Sequence, residues 1–204
     1  MASIGTKSPV TPDKLLSMPD YKHSGFVDGQ LVNRSLGANS SRIGGRLYRR
    51  LDSFCEEHRL GRAWPADCGY QCFPDAPGLV WRPDVSFIRM GRLPGERVPA
   101  GHIRIAPDLA AEVLSPNDLD YETDQKIEQY LAAGVPLVWV LNPESRTILI
   151  YRADGTIHGL RVQDELSGED VIPGFRCRVG EIFADPLAPR PAEGGGAEGV
   201  GPSP

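Results

Sequence analysis

The stretch "DLAAEVLSPNDLDYETDQKIEQYLAAGVPLVWVLN", residues 108–142, decides the fold class. Its first eight residues predict a short buried strand, and a helix follows over about residues 118–133. Gly134 and then Pro136 are the usual signals for the end of a helix. The apolar segment 136–142 predicts a central strand covered on both faces. Such a strand–helix–strand unit has parallel strands joined by a right-handed crossover.

Neighbouring segments extend this unit into a mixed sheet. "TILIYR", residues 147–152, predicts a strand that returns beside the central one, and short strands are predicted over 62–88 and onward to about Phe183. Residues 40–58 predict an amphipathic helix, whose apolar side chains recur at helical spacing: Ile43, Leu47, Leu51 and Phe54. We therefore predict an α/β (α+β) domain with a mixed central sheet flanked by helices.

The segment before that helix predicts two small elements. Residues 11–20 read as a short helix, with Thr11 as its N-cap. Residues 25–33 read as a hairpin that turns at Asp28-Gly29.

Composition sets the domain organisation and the compartment. We expect a loose tail over residues 1–10, one domain over 11–184, and a disordered Pro/Gly/Ala-rich tail over 185–204. The sequence has no apolar run long enough for a membrane span and no secretory signal, which favours the cytoplasm. The net charge of −5 does not suit a protein that coats nucleic acid, so any such contact needs a local basic surface. The four cysteines predict reduced thiols.

The acids of two predicted strands are the candidates for chemistry. Glu112 lies in the apolar middle of its strand, where a carboxylate is costly unless it is paired or binds a metal. Asp108 shares that face but lies about 13 Å away, too far to share an ion. In "LVWRPDVSFI", residues 79–88, Pro83 marks an edge or a bulge and Asp84 follows it. Asp84 and Glu112 on adjacent strands would suit Mg²⁺. The alternatives are a strand-end bond from Asp84 to backbone and an ion pair between Glu112 and an arginine.

Two groups of basic residues accompany these acids. Lys126, at the rim of the apolar stripe of the helix after Glu112, either reaches over the sheet end or pairs with Glu122. Four arginines form a stripe on the helix over 40–58: Arg42, Arg46, Arg49 and Arg50. This stripe either faces phosphates or is a solvated surface.

Three sequence blocks together resemble the Uma-two family of endonucleases, in the restriction-endonuclease-like PD-(D/E)XK superfamily. They are "RPDVSFI" (82–88), "APDLAAEVLSPND" (106–118) and "DQKIEQYLAAGVPLVWVLNPESRTILIYR" (124–152). The likeness covers about residues 11–184.

The resemblance implies a metal-dependent endonuclease that hydrolyses phosphodiester bonds of DNA with Mg²⁺ or Mn²⁺. In that family pattern Asp84, Glu112 and the carbonyl of Val113 hold the metal, and Lys126 orients the water or stabilises developing charge. The superfamily lysine normally stands two residues after the second acid, where this chain has Leu114. A homodimer would suit cleavage of both strands of a duplex.

The sequence also departs from the family pattern. Gly25 stands where members often have Glu, and Ser40 or Ser41 where they often have His. One alternative is therefore a weak or inactive nuclease-fold protein that binds DNA or a partner. Another is an unrelated hydrolase that uses Asp84 and Glu112 as a general acid/base pair.

Overall fold

The structure is a computed structural model and describes Thr11, Lys14 and residues 24–27, 30–33, 37–116 and 120–187. Its helices are α1 (Ala38–Glu57), α2 (Asp120–Ala132) and α3 (Val179–Phe183). Its strands are β1 (Ser24–Val27), β2 (Gln30–Asn33), β3 (Gly61–Pro65), β4 (Val85–Arg89), β5 (Leu109–Val113), β6 (Leu137–Asn142), β7 (Thr147–Arg152), β8 (Ile157–Leu160), β9 (Glu165–Ser167) and β10 (Arg176–Arg178). A short 3₁₀ turn at Pro94–Glu96 interrupts the loop after β4.

Six strands form one central sheet in the order β3-β4-β5-β6-β7-β8. Strands β5 and β6 are parallel, with Glu112 paired to Val140, and all other neighbours in this sheet are antiparallel. The parallel pair is connected through α2, as expected for a strand–helix–strand crossover. The carboxyl ends of β5 and β6 consequently meet at one edge of the sheet.

Helix α1 covers one face of the sheet because its apolar side chains recur every four residues. Ile43, Leu47, Leu51 and Cys55 are buried against alternate residues of the central strands, including the fully buried Trp139. Burial of one leucine side chain contributes about 1.5–3 kcal/mol, so this stripe holds the helix in place. The β9–β10 hairpin and α3 complete the same core.

Helix α2 covers the opposite face. Ile127 and Tyr130 pack on Ala110, Val138 and Val140, the strand residues that point away from α1. The helix ends at Ala132, and Gly134 adopts a left-handed conformation with φ of 88°. The predicted fold class and the burial of β6 on both faces are confirmed.

Several smaller predictions have different outcomes. Within residues 79–88, β4 begins only at Val85 and Trp81 forms an isolated bridge with Tyr70, so Pro83 and Asp84 lie between two short β segments. The last predicted strand region ends instead in helix α3. Strands β1 and β2 pair as the predicted hairpin, whose Asp28-Gly29 turn lies outside the described residues.

The terminal predictions fall mostly beyond the described chain. Of the predicted helix over 11–20, Thr11 and Lys14 are described, and the Lys14 N–H donates to Thr11 Oγ1 at 3.3 Å, as an N-cap would require. The predicted tails over 1–10 and 185–204 lie outside the described residues, except for residues 185–187, where Asp185 pairs with Arg42. No helix in the described part of the chain has both the length and the hydropathy to cross a membrane.

Candidate active site

The interruption before β4 is what places Asp84. Strand β4 pairs with β5 from Val85 onward, so Pro83 and Asp84 do not continue the ladder. The N–H of Val113 donates instead to Asp84 Oδ2, at 2.8 Å. A proline has no N–H to donate to a strand ladder. The Asp84 carboxylate accepts the Val113 N–H in place of a backbone carbonyl. Asp84 is thereby tied to the residue that follows Glu112.

Glu112 lies inside the protein at the carboxyl end of β5, with its side chain only 6% exposed. Its Oε1 accepts the hydroxyl of Tyr130 at 2.9 Å, and its Oε2 faces Lys126 Nζ at 3.3 Å. Both partners come from α2, one helical turn apart. Burial of a carboxylate is tolerated when such partners offset the lost hydration.

Lys126 is positioned from two sides. Besides Glu112, its ammonium lies 5.3 Å from the ring centroid of Trp81, within cation–π range. The indole Nε1 of Trp81 donates to Gln129 Oε1 of α2, which fixes the ring over the helix. The lysine side chain is 23% exposed, so it lies at the border between protein and solvent. Lys126 thus reaches over the end of the sheet and forms an ion pair with Glu112.

Asp108 belongs to a separate arrangement. Its Oδ2 accepts the backbone N–H of Arg89 at 2.8 Å and an ion pair from Arg92 at 2.9 Å. These contacts tie the start of β5 to the end of β4 and the loop after it. Asp108 therefore has a structural partner set at the opposite end of β5 from Glu112.

The two departures from the family pattern have structural consequences. Ser40 is buried at the start of α1, and its hydroxyl donates to the carbonyl of Leu114 at 2.8 Å. Ser41 is exposed. Gly25 lies in β1 opposite Val32, and a glycine brings no side chain that could bind a metal. Ser40 thus fastens α1 to the chain just beyond Glu112.

The arginine stripe of α1 is largely engaged by the C-terminal part of the chain. Arg42 pairs with Asp185, and Arg46 donates to the carbonyl of Ile182 at 3.2 Å. Arg50 pairs with Glu181 at 3.0 Å, whereas Arg49 is exposed. The stripe is therefore not a bare solvated face, and binding of nucleic acid by Arg42, Arg46 and Arg49 stays a prediction.

The donor chemistry of this sheet edge fits a hard divalent cation. Asp84, Glu112 and the carbonyl of Val113 offer oxygen ligands, and Mg²⁺ typically takes one or two carboxylates and keeps several waters. Each carboxylate oxygen has two lone pairs, so the hydrogen bonds to Tyr130 and Val113 leave room for a further contact. Among the described residues no group of three or more His, Cys, Asp or Glu is arranged to hold a metal, so water or substrate oxygens would supply the remaining ligands.

Two residues of this cluster were missed by reasoning from the sequence. Tyr130 reads as part of an apolar helical stripe, although its position four residues after Lys126 places both on one face. Trp81 lies in an irregular segment, where periodicity gives no direction for its ring. Both act on the candidate groups directly, Tyr130 on Glu112 and Trp81 on Lys126.

Comparisons with known proteins bear on the family and the fold. Residues 12–180 match the model of the Uma2 (Uma-two) family, described as "Putative restriction endonuclease". The chain is similar to a crystal structure of a "putative nuclease belonging to DUF820" from Anabaena variabilis, with a TM-score of 0.71. The sequence identity is 21%, over 86% of this chain and 98% of that one, and the likeness concerns the fold. No curated protein matches.

Proposed function

The chain belongs to the Uma2 family, and from this premise we propose that it is a metal-dependent endonuclease that hydrolyses phosphodiester bonds of DNA. Membership of the family supports a nuclease function. The observation that carries the finer proposal is the contiguous cluster at the sheet edge, in which Asp84 binds Val113 N–H and Glu112 pairs with Lys126. Carboxylates that can hold a metal, with a cation beside them, are groups that metal-dependent phosphodiester hydrolysis uses.

In this proposal Asp84, Glu112 and the carbonyl of Val113 hold Mg²⁺ or Mn²⁺. A divalent ion held there supplies positive charge beside the phosphate and a water of lowered pKa. The bond from Val113 N–H orients the Asp84 carboxylate, and the bond from Tyr130 orients that of Glu112. The protein therefore presents its oxygen ligands in fixed positions before substrate binds.

Lys126 acts on the reacting groups in this proposal. Its ammonium is held by Glu112 and Trp81 at the border with solvent, where a phosphate oxygen or an attacking water could reach it. A fixed cation at that point stabilises the negative charge that develops on the phosphate. Trp81 and Tyr130 are positioning residues, because they act through Lys126 and Glu112.

The alternative function is that of a nuclease-fold module that binds DNA or a partner without efficient cleavage. The observation that favours it is Ser40, whose buried hydroxyl is committed to the Leu114 carbonyl where family members often carry a histidine. Gly25 is the second departure, and it has no side chain at all. The use of Asp84 and Glu112 as a general acid/base pair is less favoured, since it assigns no role to the Lys126–Glu112 contact.

Cleavage of supercoiled plasmid tests the proposal. The wild-type protein should nick plasmid in Mg²⁺ or Mn²⁺ and not in EDTA, and Asp84→Asn, Glu112→Gln and Lys126→Gln should each lower the rate at least about 100-fold. Asp108→Asn is the matched control, because it removes a buried carboxylate outside the cluster. A wild-type protein that cuts no faster than Glu112→Gln would refute the proposal, and binding without cutting would support the alternative.

Thermal unfolding tests the metal separately from activity. At a Mg²⁺ concentration ten times the dissociation constant, binding to the folded state alone should stabilise the wild-type protein by about 1.4 kcal/mol. For a chain of this size that corresponds to a rise in Tm of about 3–6 °C. Glu112→Gln should lose this rise and Asp108→Asn should keep it. An equal rise in all three proteins would place the metal elsewhere.

Two further parts of the proposal concern the assembly and its location. A homodimer would place two active sites on the two strands of a duplex, and sedimentation at micromolar concentration checks the oligomeric state. A cytoplasmic location stays a prediction, which fractionation of cells expressing the full chain would test.

A further inference from the structure

A second basic feature lies beside the candidate active site. A cleft of about 420 Å³ is bounded by α1, by the β6–β7 turn and by the chain after α3. Its charged lining consists of Arg42, Arg46, Arg146 and Asp185, and the remaining lining residues are neutral. Three arginines and one aspartate give the cleft a formal charge of +2, in a chain whose net charge is −5. This contrast indicates a site that attracts anions.

Resting on the proposed nuclease function, we propose that this cleft binds a backbone phosphate of the nucleic acid next to the one that reacts. We further propose that Asp185 takes the place of that phosphate on Arg42 when no nucleic acid is bound. The cleft would thus add a phosphate-binding position to the candidate active site, and in the free protein Asp185 occupies Arg42.

Arg146 is the residue that distinguishes this cleft from a merely structural arrangement. It is exposed at the β6–β7 turn, and no ion pair joins it to another residue that the structure describes. Its backbone is left-handed, with φ of 54°, a conformation that is uncommon outside glycine. Asn142 Oδ1 accepts the N–H groups of Glu144 and Ser145, which fixes the turn that carries it. A guanidinium held at a cleft without an internal partner is well suited to an external oxyanion.

Arg46 can take part while keeping its internal contact, because a guanidinium has five N–H donors and one bond to the Ile182 carbonyl leaves others for a phosphate. Arg42 would instead exchange Asp185 for the phosphate. The Arg42 guanidinium, together with the N–H of Leu187, holds the pKa of the Asp185 carboxyl well below its usual range. Asp185 is therefore ionised at neutral pH and competes as an anion for Arg42.

The position of the cleft agrees with a strand of nucleic acid that passes both sites. Ser40, next to the cleft residue Asn39, bonds to Leu114, and Leu114 N–H bonds to the Leu141 carbonyl at 2.9 Å. Val140 of β6 is the register partner of Glu112, and neighbouring strands lie about 5 Å apart. Pro143 of the cleft comes three residues after Val140, which is about 10 Å further along the chain. Cleft and candidate active site therefore lie at the same end of the sheet, the cleft on the α1 face and Glu112 on the α2 face.

The test is the salt dependence of binding to a labelled 20-base-pair duplex, measured by fluorescence anisotropy in EDTA so that nothing is cut. Arg146→Gln should lower the slope of log K against log [salt] by about 0.9, the value for one lost phosphate contact. Between 50 and 200 mM salt the affinity of the variant should therefore fall by a factor about 3.5 smaller than that of the wild type. Thermal unfolding confirms that the variants remain folded.

Arg59→Gln is the matched control. Arg59 is also exposed and left-handed, with φ of 55°, and lies about 20 Å from Arg46 beyond the end of α1. An Arg146→Gln slope that differs from the wild-type slope no more than that of Arg59→Gln would overturn the inference. A second result would also overturn it: inorganic phosphate raises the Tm only when Arg146 is present, while Arg146→Gln leaves the salt slope of duplex binding unchanged. That combination would indicate a site for free anions.

The role of Asp185 is tested in the same assay. Asp185→Asn should tighten duplex binding about twofold to fivefold, the range expected when one exposed ion pair no longer competes. The gain should vanish in the Arg42→Gln background and be absent for Glu181→Gln, a neighbouring carboxylate outside the cleft. A gain that persists without Arg42 would overturn the competition.

The two proposals fail in different ways. If the protein cuts plasmid while Arg146→Gln keeps the wild-type slope, the nuclease function stands and the phosphate site in the cleft is refuted. A slope that depends on Arg146 in a protein that never cuts would keep the cleft and refute the nuclease.

Discussion

Replacing Lys126 by methionine keeps the apolar stem of the side chain and removes its charge. In the wild-type protein the ammonium lies 3.3 Å from Glu112 Oε2 and 5.3 Å from the Trp81 ring centroid. The substitution leaves a buried carboxylate whose remaining side-chain hydrogen bond comes from Tyr130. We therefore expect Lys126→Met to destabilise the fold as well as to slow cleavage.

The size of the effect follows from the distance and the burial. Coulomb's law at 3.3 Å and an effective dielectric constant of 20 gives about 5 kcal/mol before desolvation is subtracted. Breaking a fully buried pair costs about 3–5 kcal/mol and an exposed pair about 0.2–1 kcal/mol. Because Glu112 is buried and Lys126 is partly exposed, we expect an intermediate loss of about 2 kcal/mol. For a chain of this size the Tm should fall by about 4–8 °C.

A double-mutant cycle by urea or thermal unfolding isolates the pair. Glu112→Gln keeps the bond to Tyr130 and removes the charge, so the double variant Glu112→Gln/Lys126→Met should recover at least about 1 kcal/mol relative to the sum of the single variants. Additive losses, within about 0.5 kcal/mol, would show that the two charges do not stabilise each other and would refute the reasoning. A Lys126→Met protein as stable as the wild type would refute it equally.

Three further predictions concern the surroundings of the site. Asp108→Asn weakens the contacts of a buried carboxylate with the exposed Arg92 and should lower the free energy of unfolding by about 1–3 kcal/mol, while plasmid cleavage per folded molecule stays within twofold of the wild type; loss of cleavage would contradict the separation of Asp108 from the site. Gly44→Ala should raise the stability by up to about 1 kcal/mol in thermal unfolding, because the added Cβ meets Asp84 Cβ at an ordinary 3.7 Å; a loss would mean that α1 packs closer than this. Partial burial raises the pKa of Cys68 to about 11 and of Cys72 to about 12, so at pH 8 iodoacetamide should alkylate these thiols at least about 100-fold more slowly in the folded protein than in urea, as mass spectrometry can follow; equal rates would contradict the raised pKa values.

The strand–helix–strand unit could be predicted from the sequence because local signals determine it. The apolar run of β6, the glycine and proline after α2, and the alternation in β5 each act within a few residues. The same alternation predicts that Asp108 and Glu112 share a face, and the rise of a strand predicts that they lie too far apart to share an ion. As the alternative to a metal ligand, the sequence predicts an ion pair between Glu112 and an arginine, whereas the structure pairs Glu112 with Lys126, because the rotation of α2 about its axis decides which cation meets the strand.

Contacts between distant segments could not be predicted in this way. The periodicity of α1 shows which arginines lie side by side, but not that Ile182 and Asp185, more than 130 residues later, meet them. The first turn of α3 follows directly on β10, so the composition of that segment gives no sign of a change from strand to helix. The direction of the Trp81 ring depends on Gln129 across the sheet edge and has no local signal.

The bond from Val113 N–H to Asp84 has a consequence for how such a protein can change over evolutionary time. An asparagine at position 84 offers the same acceptor in the same place, so the sheet edge would stay closed while the charge needed for catalysis disappears. The hydrogen bond needs an oxygen at this position, whereas the proposed chemistry needs its ionisation. If the proposed function holds, one amide-for-acid exchange would abolish cleavage and keep the fold.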